Sequence, residues 1–350
     1  MRSLIGRKGI WLAVALVTSA MLLAAQERPA KPSLPNYRHS LHYTNQGLQH
    51  WYAKENGGLE RLTGIPFAEL ASCNGCHVRT CDACHGAAGG AGYAQSAQTE
   101  KACDKCHDME SRTFAAQNPR SPAADVHFAR GMKCMACHSS RELHGDGTQY
   151  ASMQSPGAMD ARCENCHKDL AKCRSNAVHH GRVDCAACHT REVSSCYNCH
   201  FDTKVKDHKS VSLPLKGALF LVNHEGKVTA ANLHTFIYQN RTLIVFAPAF
   251  PHWIVRQGRQ CGDCHGTPTV RALQAGSLKA VTWDKGKLSN VSGVIPVVDG
   301  YRWNFPFLNY AKGQWVPATE AAPPLLNYSG YAQPITKEQL QKMAQPQKRR

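Results

Sequence analysis

A five-residue motif, Cys-x-x-Cys-His, occurs eight times in this chain of 350 residues. The eight motifs, numbered here in chain order, begin at Cys73, Cys81, Cys103, Cys134, Cys163, Cys185, Cys196 and Cys261. The chain has 19 histidines, so a histidine after every one of these cysteine pairs is not a coincidence of composition. The motifs have no fixed period, unlike the repeats of a solenoid. The chain must therefore fold around eight local sites at uneven intervals.

This motif is the attachment signature of c-type haem. Its two thiols can form thioethers with the vinyl groups of one porphyrin, while the adjacent histidine is the proximal ligand of the iron. The sequence thus predicts eight covalently attached haem c groups. The predicted attachment positions are Cys73, Cys76, Cys81, Cys84, Cys103, Cys106, Cys134, Cys137, Cys163, Cys166, Cys185, Cys188, Cys196, Cys199, Cys261 and Cys264. The predicted proximal ligands are His77, His85, His107, His138, His167, His189, His200 and His265.

Structural zinc and disulfide bonds are the other common uses of such cysteine pairs. Paired Cys-x-x-Cys knuckles can build four-cysteine zinc sites, and exported chains use disulfides. Zinc knuckles do not need a histidine after every pair and usually lie about 12 or more residues apart. The first two motifs, at Cys73 and Cys81, begin much closer together than that. Haem attachment is therefore favoured over both alternatives.

The N-terminus indicates export from the cytoplasm. The basic residues Arg2, Arg7 and Lys8 precede an apolar stretch, and together residues 1–25 read as a signal peptide that is cleaved at its end. Leu23 stands where a small residue is preferred before the cleavage site, so a retained membrane anchor is the alternative. We expect a periplasmic or extracellular protein.

The chain is basic, with 41 lysines and arginines against 25 aspartates and glutamates and a formal net charge of +16. Such a balance would suggest nucleic acid or an anionic membrane as a partner. Each haem, however, brings two negatively charged propionate groups. The excess lysines and arginines can therefore be the counter-ions of the propionates of eight haems. We therefore expect no nucleic-acid partner.

The motif density divides the mature chain into two parts. Residues 26–200 hold seven motifs, so we expect this domain to be mostly irregular with short α-helices, organised around a haem core. Residues 201–350 hold the eighth motif and are expected to form a smaller β-containing region. Thr336 and Gln339 have the spacing of a capping box, which predicts a short helix near the C-terminus.

Local patterns predict where the strands of the second part lie. Three β-rich runs, at 218–223, 235–238 and 243–246, are separated by turn residues and are expected to pair antiparallel. Residues 301–310 and 314–316 predict a further hairpin. A proline within its first strand favours an edge position for that strand.

These motifs resemble those of bacterial multihaem c-type cytochromes of the octahaem class. The resemblance covers residues 40–265. It implies electron transfer among closely stacked haems whose low potentials follow from bis-histidine ligation. It also implies other redox proteins as partners, with a quinol-oxidising membrane cytochrome upstream and a cytochrome or terminal acceptor downstream. Assembly into filaments is left open.

The second axial ligand of each iron must come from outside the motifs, where eleven histidines remain. Eight bis-histidine haems would use eight of them. The stronger candidates for these distal ligands are His42, His50, His127, His144, His180, His208 and His252. The weaker candidates are His39, His179, His224 and His234. His127 and His180 lie shortly before a motif, a spacing that resembles distal ligands of multihaem cytochromes, and His179 is the substitute if His180 is not a ligand.

Two functions are compatible with this sequence. The first is a non-catalytic electron relay of anaerobic respiration, which needs only irons with both axial positions filled. The second is an octahaem reductase of a small oxyanion such as nitrite, tetrathionate, sulfite or selenite, which needs one iron with an exchangeable position. Related reductases often mark that haem with Cys-x-x-Cys-Lys or a widened cysteine spacing. Neither occurs in this sequence, so the relay is favoured.

Cys173 belongs to no motif. An odd cysteine in an exported protein can be a free thiol, an intermolecular disulfide or an extra ligand. A thiolate near a reactive iron would be catalytic, whereas an inert buried thiol is the favoured interpretation.

Intact-mass spectrometry of the exported protein checks the predicted cofactor number. We expect the mass of the mature chain plus eight haems, and no zinc, because all eight motifs are complete. The same chain produced without the cytochrome c maturation system is the control that lacks haem. A mass that is short by one haem would show that one motif is not used.

Overall fold

The computed structural model describes residues 35–70, 78–86, 100–107, 124–169 and 173–346. Seven of the eight motifs lie within these ranges. The signal peptide, the first motif at Cys73 and most of the loop 86–96 lie outside the described residues, and the expectations for them stay predictions. Within the described ranges, no helix combines the length and the apolar character that a bilayer crossing needs.

Short helices joined by turns predominate in the described chain up to residue 207. The α-helices here are Leu41–Thr44, Gln46–Tyr52, Leu59–Thr63, Asp82–His85, Glu100–Cys103, Ser140–His144, Cys163–Cys166, Arg174–His179, Cys185–His189 and Phe201–Asp207. The 3₁₀-helices are Pro35–His39, Lys54–Asn56, Phe67–Glu69, Phe128–Arg130 and Cys134–Ala136. Helices of one or two turns are not stable alone in water. Their stability must come from groups that pack between them. A haem core, as expected from the sequence, would supply such groups.

The strands lie in a seven-stranded mixed sheet and two hairpins. They are β1 (Cys196–His200), β2 (Leu213–Pro214), β3 (Ala218–His224), β4 (Lys227–Tyr238), β5 (Arg241–Pro248), β6 (Val281–Asp284), β7 (Lys287–Asn290), β8 (Gly293–Pro296), β9 (Leu308–Ala311), β10 (Gln314–Pro317) and β11 (Leu325–Tyr328). β6 pairs with β7 and β9 with β10, both antiparallel. The other seven strands form the sheet.

The long strand β4 is the centre of the sheet. β5 runs antiparallel along one of its edges. Along the other edge, β3 pairs antiparallel with the first half of β4, and β1 pairs parallel with the second half. β11, β8 and β2 extend the sheet from β5, β3 and β1. The seventh motif is β1, so the sheet runs across residue 200, and the expected division of the chain there stays a prediction.

Alternation along β4 explains which face of the sheet is buried. Leu233, Thr235 and Ile237 are fully buried, while His234 and Phe236 on the opposite face are partly exposed. A strand with this period of two buries one face. The buried face belongs to the largest apolar cluster of the described residues, which includes Tyr197, Phe220, Phe246, Trp303 and Phe305.

The structure confirms the three predicted antiparallel strands as β3, β4 and β5. It corrects the predicted hairpin, whose ladder begins only at Leu308. Pro306 has no N–H to donate to a ladder. Residues 301–307 form no strand, and Trp303 and Phe305 pack into the core instead.

Three helices lie in the last part of the chain, at Cys261–Cys264, Pro268–Gln274 and Lys337–Ala344. The last confirms the predicted C-terminal helix. Its capping box is complete, because the Thr336 hydroxyl accepts from the Gln339 backbone N–H and the Gln339 side chain accepts from Thr336 N–H. Leu340 anchors this helix in the core, and Met343 O accepts a hydrogen bond from Gly266 N.

Asn198 joins β1 to β9 and provides a test of the fold. Its side-chain amide is fully buried, donates to Leu308 O at 2.6 Å and accepts from Leu308 N at 2.8 Å. Asn198→Gly keeps the positive φ of 54° accessible but leaves both Leu308 groups unpaired. We expect unfolding free energy to fall by about 2 kcal/mol or more in thermal melts followed by circular dichroism.

Asn240→Gly is the matched control for Asn198→Gly. Asn240 also has a positive φ, of 59°, but its half-buried side chain makes a single hydrogen bond, at 3.2 Å to Asn309. We expect a change within about 0.5 kcal/mol. Equal losses for the two variants would contradict the role of the buried amide.

Candidate haem sites

Six of the described motifs fold as a helical turn. In five of them the histidine N–H donates to the carbonyl of the first cysteine, at 2.9 Å for His85, His107 and His167, 3.0 Å for His138 and 2.8 Å for His265. The sixth motif is the helix Cys185–His189. Residues three apart lie on one side of a helical turn. Both thiols of each motif therefore face the same way, as one porphyrin requires.

Hydrogen bonds orient several of the motif histidines. The Nδ1 atoms of His189 and His265 lie 3.0 and 3.1 Å from the carbonyls of Val255 and Lys342, and Nδ1 of His138 lies 2.8 Å from Glu142 Oε2. Donation from Nδ1 places the ring proton there and leaves the Nε2 lone pair free. Metal-bound histidines almost always have such a partner on the other ring nitrogen.

Five motif histidines face a second histidine at nearly constant distance. The distances between ring centres are 6.2 Å for His107 and His42, 6.0 Å for His85 and His144, 6.1 Å for His167 and His127, 6.3 Å for His138 and His252, and 6.2 Å for His265 and His179. The constancy of the spacing needs a common cause.

Two axial ligands of one iron have this spacing. An iron–nitrogen bond of about 2.0 Å, and about 1.15 Å from Nε2 to the ring centre, place two axial imidazoles about 6.3 Å apart. Burial lowers the pKa of His42, His144 and His265, so these rings are neutral and able to ligate at neutral pH. The residues of these five sites therefore fit a bis-histidine haem.

Each second histidine comes from outside the motif that it faces, and local structure places it. His144 ends the helix Ser140–His144, whose capping box joins Ser139 and Glu142. Glu142 also contacts Nδ1 of His138, so a single carboxylate shapes two sites. Arg141 pairs with Asp160 and Asp146 beside this helix.

Four of the seven stronger distal candidates lie in these pairs: His42, His127, His144 and His252. His180 does not, and His179 faces His265 instead. The helix Arg174–His179 ends at His179, and His180 follows with a φ of 50° and an exposed side chain. Sequence spacing cannot choose between two adjacent histidines, because the end of the helix decides which one turns inward.

The two remaining stronger candidates have other surroundings. His50 lines a cavity of about 540 Å³ with Trp51, Lys54 and Arg61, and its Nδ1 lies 3.3 Å from the Asn56 amide. His208 is exposed at the left-handed C-cap of the helix Phe201–Asp207. Whether either is a ligand stays a prediction. For His50, the nearest motif in sequence lies outside the described residues.

The sixth motif borders a basic cavity of about 840 Å³. Arg259 clamps the end of its helix by donating to the carbonyls of Cys188 and Thr190. Gly258 lies against the His189 ring, because a Cβ at this position would be 3.2 Å from both Nε2 and Cε1. Arg191 and Arg256 also line this cavity.

The seventh motif differs from the other described motifs because it is a strand. His200 N donates to Val211 O at 2.9 Å and not to Cys196 O. A register shift in the pairing of β1 with β4 lies between Cys196 and Cys199. All eight motifs share one sequence pattern, so the pattern does not predict that the seventh motif is a strand.

Among the described residues, no group of three or more histidine, cysteine or acidic side chains is arranged to hold a metal ion. Cys173 is half-buried and directly precedes the helix that carries His179. Its role stays a prediction.

Comparison with known proteins gives one weak similarity. The chain is 24% identical over 180 residues to the dissimilatory sulfite reductase MccA of Wolinella succinogenes. The match covers 37% of this chain and 26% of that protein, so the chain matches about a quarter of the length of this relative. No family model and no solved structure matches the chain. Together with the repeated motif, the similarity supports a multihaem c-type cytochrome that carries haem c. It supports neither the octahaem class nor a particular number of haems.

Removal of single histidines tests the pairs. His179→Ala should convert one haem from low to high spin without detaching it, because Cys261, Cys264 and His265 remain. The matched control, His180→Ala, should leave the spectrum unchanged. Electron paramagnetic resonance and optical spectra of the oxidised protein measure both. The opposite result would assign the ligand to His180.

His127→Ala extends this test to the other ring geometry. The rings of His127 and His167 are inclined by 68°, whereas those of His179 and His265 are inclined by 19°. The angle between the two ligand rings affects the g-value anisotropy of a low-spin ferric haem. The two variants should therefore lose electron paramagnetic resonance signals of different g-value anisotropy. An unchanged spectrum for His127→Ala would remove this histidine from the ligand set.

Proposed function

We propose that this protein is an octahaem c-type cytochrome that relays electrons outside the cytoplasm in anaerobic respiration through mostly bis-histidine, low-spin haems. The five histidine pairs at 6.0–6.3 Å are the observation that carries the proposal. An iron with two histidine ligands has no free position for a substrate. It exchanges electrons through the porphyrin edge, which is what a relay needs.

Contacts between motifs support an order for this relay, beginning with the second, third and fourth motifs. Lys105 Nζ in the third motif donates to Ala83 O in the second, at 2.9 Å. Burial and, after it, the charge of the Cys134 thiol in the fourth motif and a hydrogen bond with that thiol raise the pKa of the Cys103 thiol to about 11. Thioether sulfurs sit at the porphyrin edge, so neighbouring thiols imply neighbouring edges.

The order continues through the fifth and sixth motifs. Burial raises the pKa of Cys137, and the thiol of Cys166 in the fifth motif adds to the shift. A hydrogen bond with Cys185 of the sixth motif raises the pKa of Cys163. The hydrogen bond joins the fifth motif to the sixth, and the electrostatic effect of Cys166 on Cys137 indicates that the fourth and fifth motifs are neighbours.

The eighth motif follows the sixth in space. Burial and, after it, the charge of Cys188 in the sixth motif raise the pKa of Cys264 to about 12, which indicates that the sixth and eighth motifs are neighbours. The proposed route therefore runs from the second motif through the third, fourth, fifth and sixth to the eighth. The two ends of this route are the natural places for partners: a quinol-oxidising membrane cytochrome upstream, and a cytochrome or terminal acceptor downstream. Filament assembly would join such ends between copies.

Reduction of a small oxyanion is the second candidate function. The weak similarity to a protein named as a dissimilatory sulfite reductase favours it, and sulfite is accordingly the first substrate to test. A reductase needs one iron without a second strong ligand. At the sixth and seventh motifs, no second histidine ring within the described residues faces the motif histidine.

Reoxidation and turnover kinetics separate the two functions. The relay predicts complete reduction by dithionite and fast reoxidation by soluble ferric or quinone-like acceptors, with little turnover of sulfite, nitrite or tetrathionate. Stopped-flow absorbance and steady-state consumption of a reduced dye measure these rates. A reaction with the haem-free chain is the control. Turnover of any of these oxyanions at about 1 per second or faster would overturn the relay in favour of the reductase.

A further inference from the structure

Glu142 is a buried carboxylate that contacts a motif histidine directly. Its side chain is 3% exposed, and its Oε2 lies 2.8 Å from Nδ1 of His138 in the fourth motif. Oε2 also accepts from Ser139 N at 3.3 Å, while Oε1 accepts from the backbone N–H groups of Asp160 and Ala161. An ionised carboxylate only accepts hydrogen bonds, and N–H groups surround both of its oxygens here. The carboxylate is therefore held in one orientation against the His138 ring.

The cation next to Glu142 in sequence is used elsewhere. The guanidinium of Arg141 pairs with Asp160 at 2.6 Å and with Asp146 at 2.8 Å. Its charge is thus directed at these two carboxylates, and the partner of Glu142 is the ring of His138.

The eighth motif provides a matched comparison for the fourth. The rings of His138 and His252 lie 6.3 Å apart and are inclined by 24°, and those of His265 and His179 lie 6.2 Å apart and are inclined by 19°. Nδ1 of His265, however, lies 3.1 Å from Lys342 O, which is a neutral backbone carbonyl. The two sites therefore share their ring geometry and differ in the hydrogen-bond acceptor of the motif histidine.

We propose that Glu142 lowers the reduction potential of the haem at the fourth motif below that of the haem at the eighth. The inference rests on the proposed function and adds a residue that sets the order in which the haems are reduced. A hydrogen bond to a carboxylate is roughly twice as strong as one to a neutral carbonyl, and it makes a metal-bound imidazole a stronger donor. A stronger donor favours ferric over ferrous iron. Reduction adds one electron to this iron and leaves the proton between Nδ1 and Oε2 in place.

The place of the fourth motif gives this low potential a role. In the proposed route, this motif lies between the second and third motifs on one side and the fifth, sixth and eighth on the other. A haem of low potential there is an uphill step in the middle of the relay. In a half-reduced relay, electrons occupy the haems on both sides of this step first, so each end can exchange electrons with its own partner.

The test is a potentiometric titration of the haem-loaded protein with dithionite, followed by electron paramagnetic resonance. The signal that His252→Ala removes belongs to the fourth haem, and the signal that His179→Ala removes belongs to the eighth. In the wild type, the signal of the fourth haem should disappear at the lower potential. Glu142→Gln removes the charge and should favour reduction of the fourth haem about tenfold, which is a rise of about 59 mV for one electron. This haem should stay low-spin, because His138 and His252 remain.

Two controls separate the charge of Glu142 from its part in the helix. Ser139→Ala breaks the other half of the capping box and keeps the carboxylate, so the protein should lose stability without a shift in potential. Glu164→Gln makes the same substitution inside the fifth motif, where the carboxylate is 42% exposed and pairs with Lys227 at 3.6 Å. Solvent and salt screen this charge, so the potential of the fourth haem should not change.

Three outcomes would overturn the proposal. A wild type in which the fourth haem is reduced before the eighth refutes it, even if Glu142→Gln does not fold. An unchanged potential in a folded Glu142→Gln protein refutes it as well, and so does an equal shift in Ser139→Ala. Failure of the relay would show separately, in the spectra of the His127 and His179 variants and in the oxyanion assays.

Discussion

In the proposed cytochrome, the rest of the structure depends on the requirement that a bis-histidine iron receives two ligands from different parts of the chain. A motif supplies one histidine locally, and the second must be brought to it by the fold. His138 faces His252, and His265 faces His179, across long stretches of sequence. Bridged by an iron, such pairs would cross-link helices that are too short to be stable alone. The short helices and the spacing of the histidines would then have one physical explanation.

The connection that follows β5 places residues at two of the candidate haem sites. His252 faces the fourth motif, Val255 O lies 3.0 Å from Nδ1 of His189, and Gly258 lies against the same ring. Arg259 then donates to Thr190 O at the end of the sixth motif, just before the eighth motif begins. One short connection therefore serves both the fourth and the sixth motif.

Local chemistry could be predicted from the sequence, and non-local geometry could not. The motif histidines, the strands β3 to β5 and the C-terminal helix follow from short patterns. The choice of His179 over His180 depends on where a helix ends, which no spacing rule specifies. The strand form of the seventh motif depends on Asn198 and its contact with Leu308, more than a hundred residues away. The motif itself is identical to the others at its three defining positions, so tertiary contacts decide its conformation.

The seventh motif is close to the sixth along the chain. The sixth motif ends at His189 and the seventh begins at Cys196, so the connecting chain spans at most about 25 Å. A site on the sheet is thus tethered to the sixth motif, close to the end of the proposed route at the eighth. In the proposed relay, irons with two histidine ligands would exchange electrons through their porphyrin edges and would need no exchangeable position. Such a relay requires no change to the Cys-x-x-Cys-His pattern, which agrees with a sequence that carries no mark of a reductase.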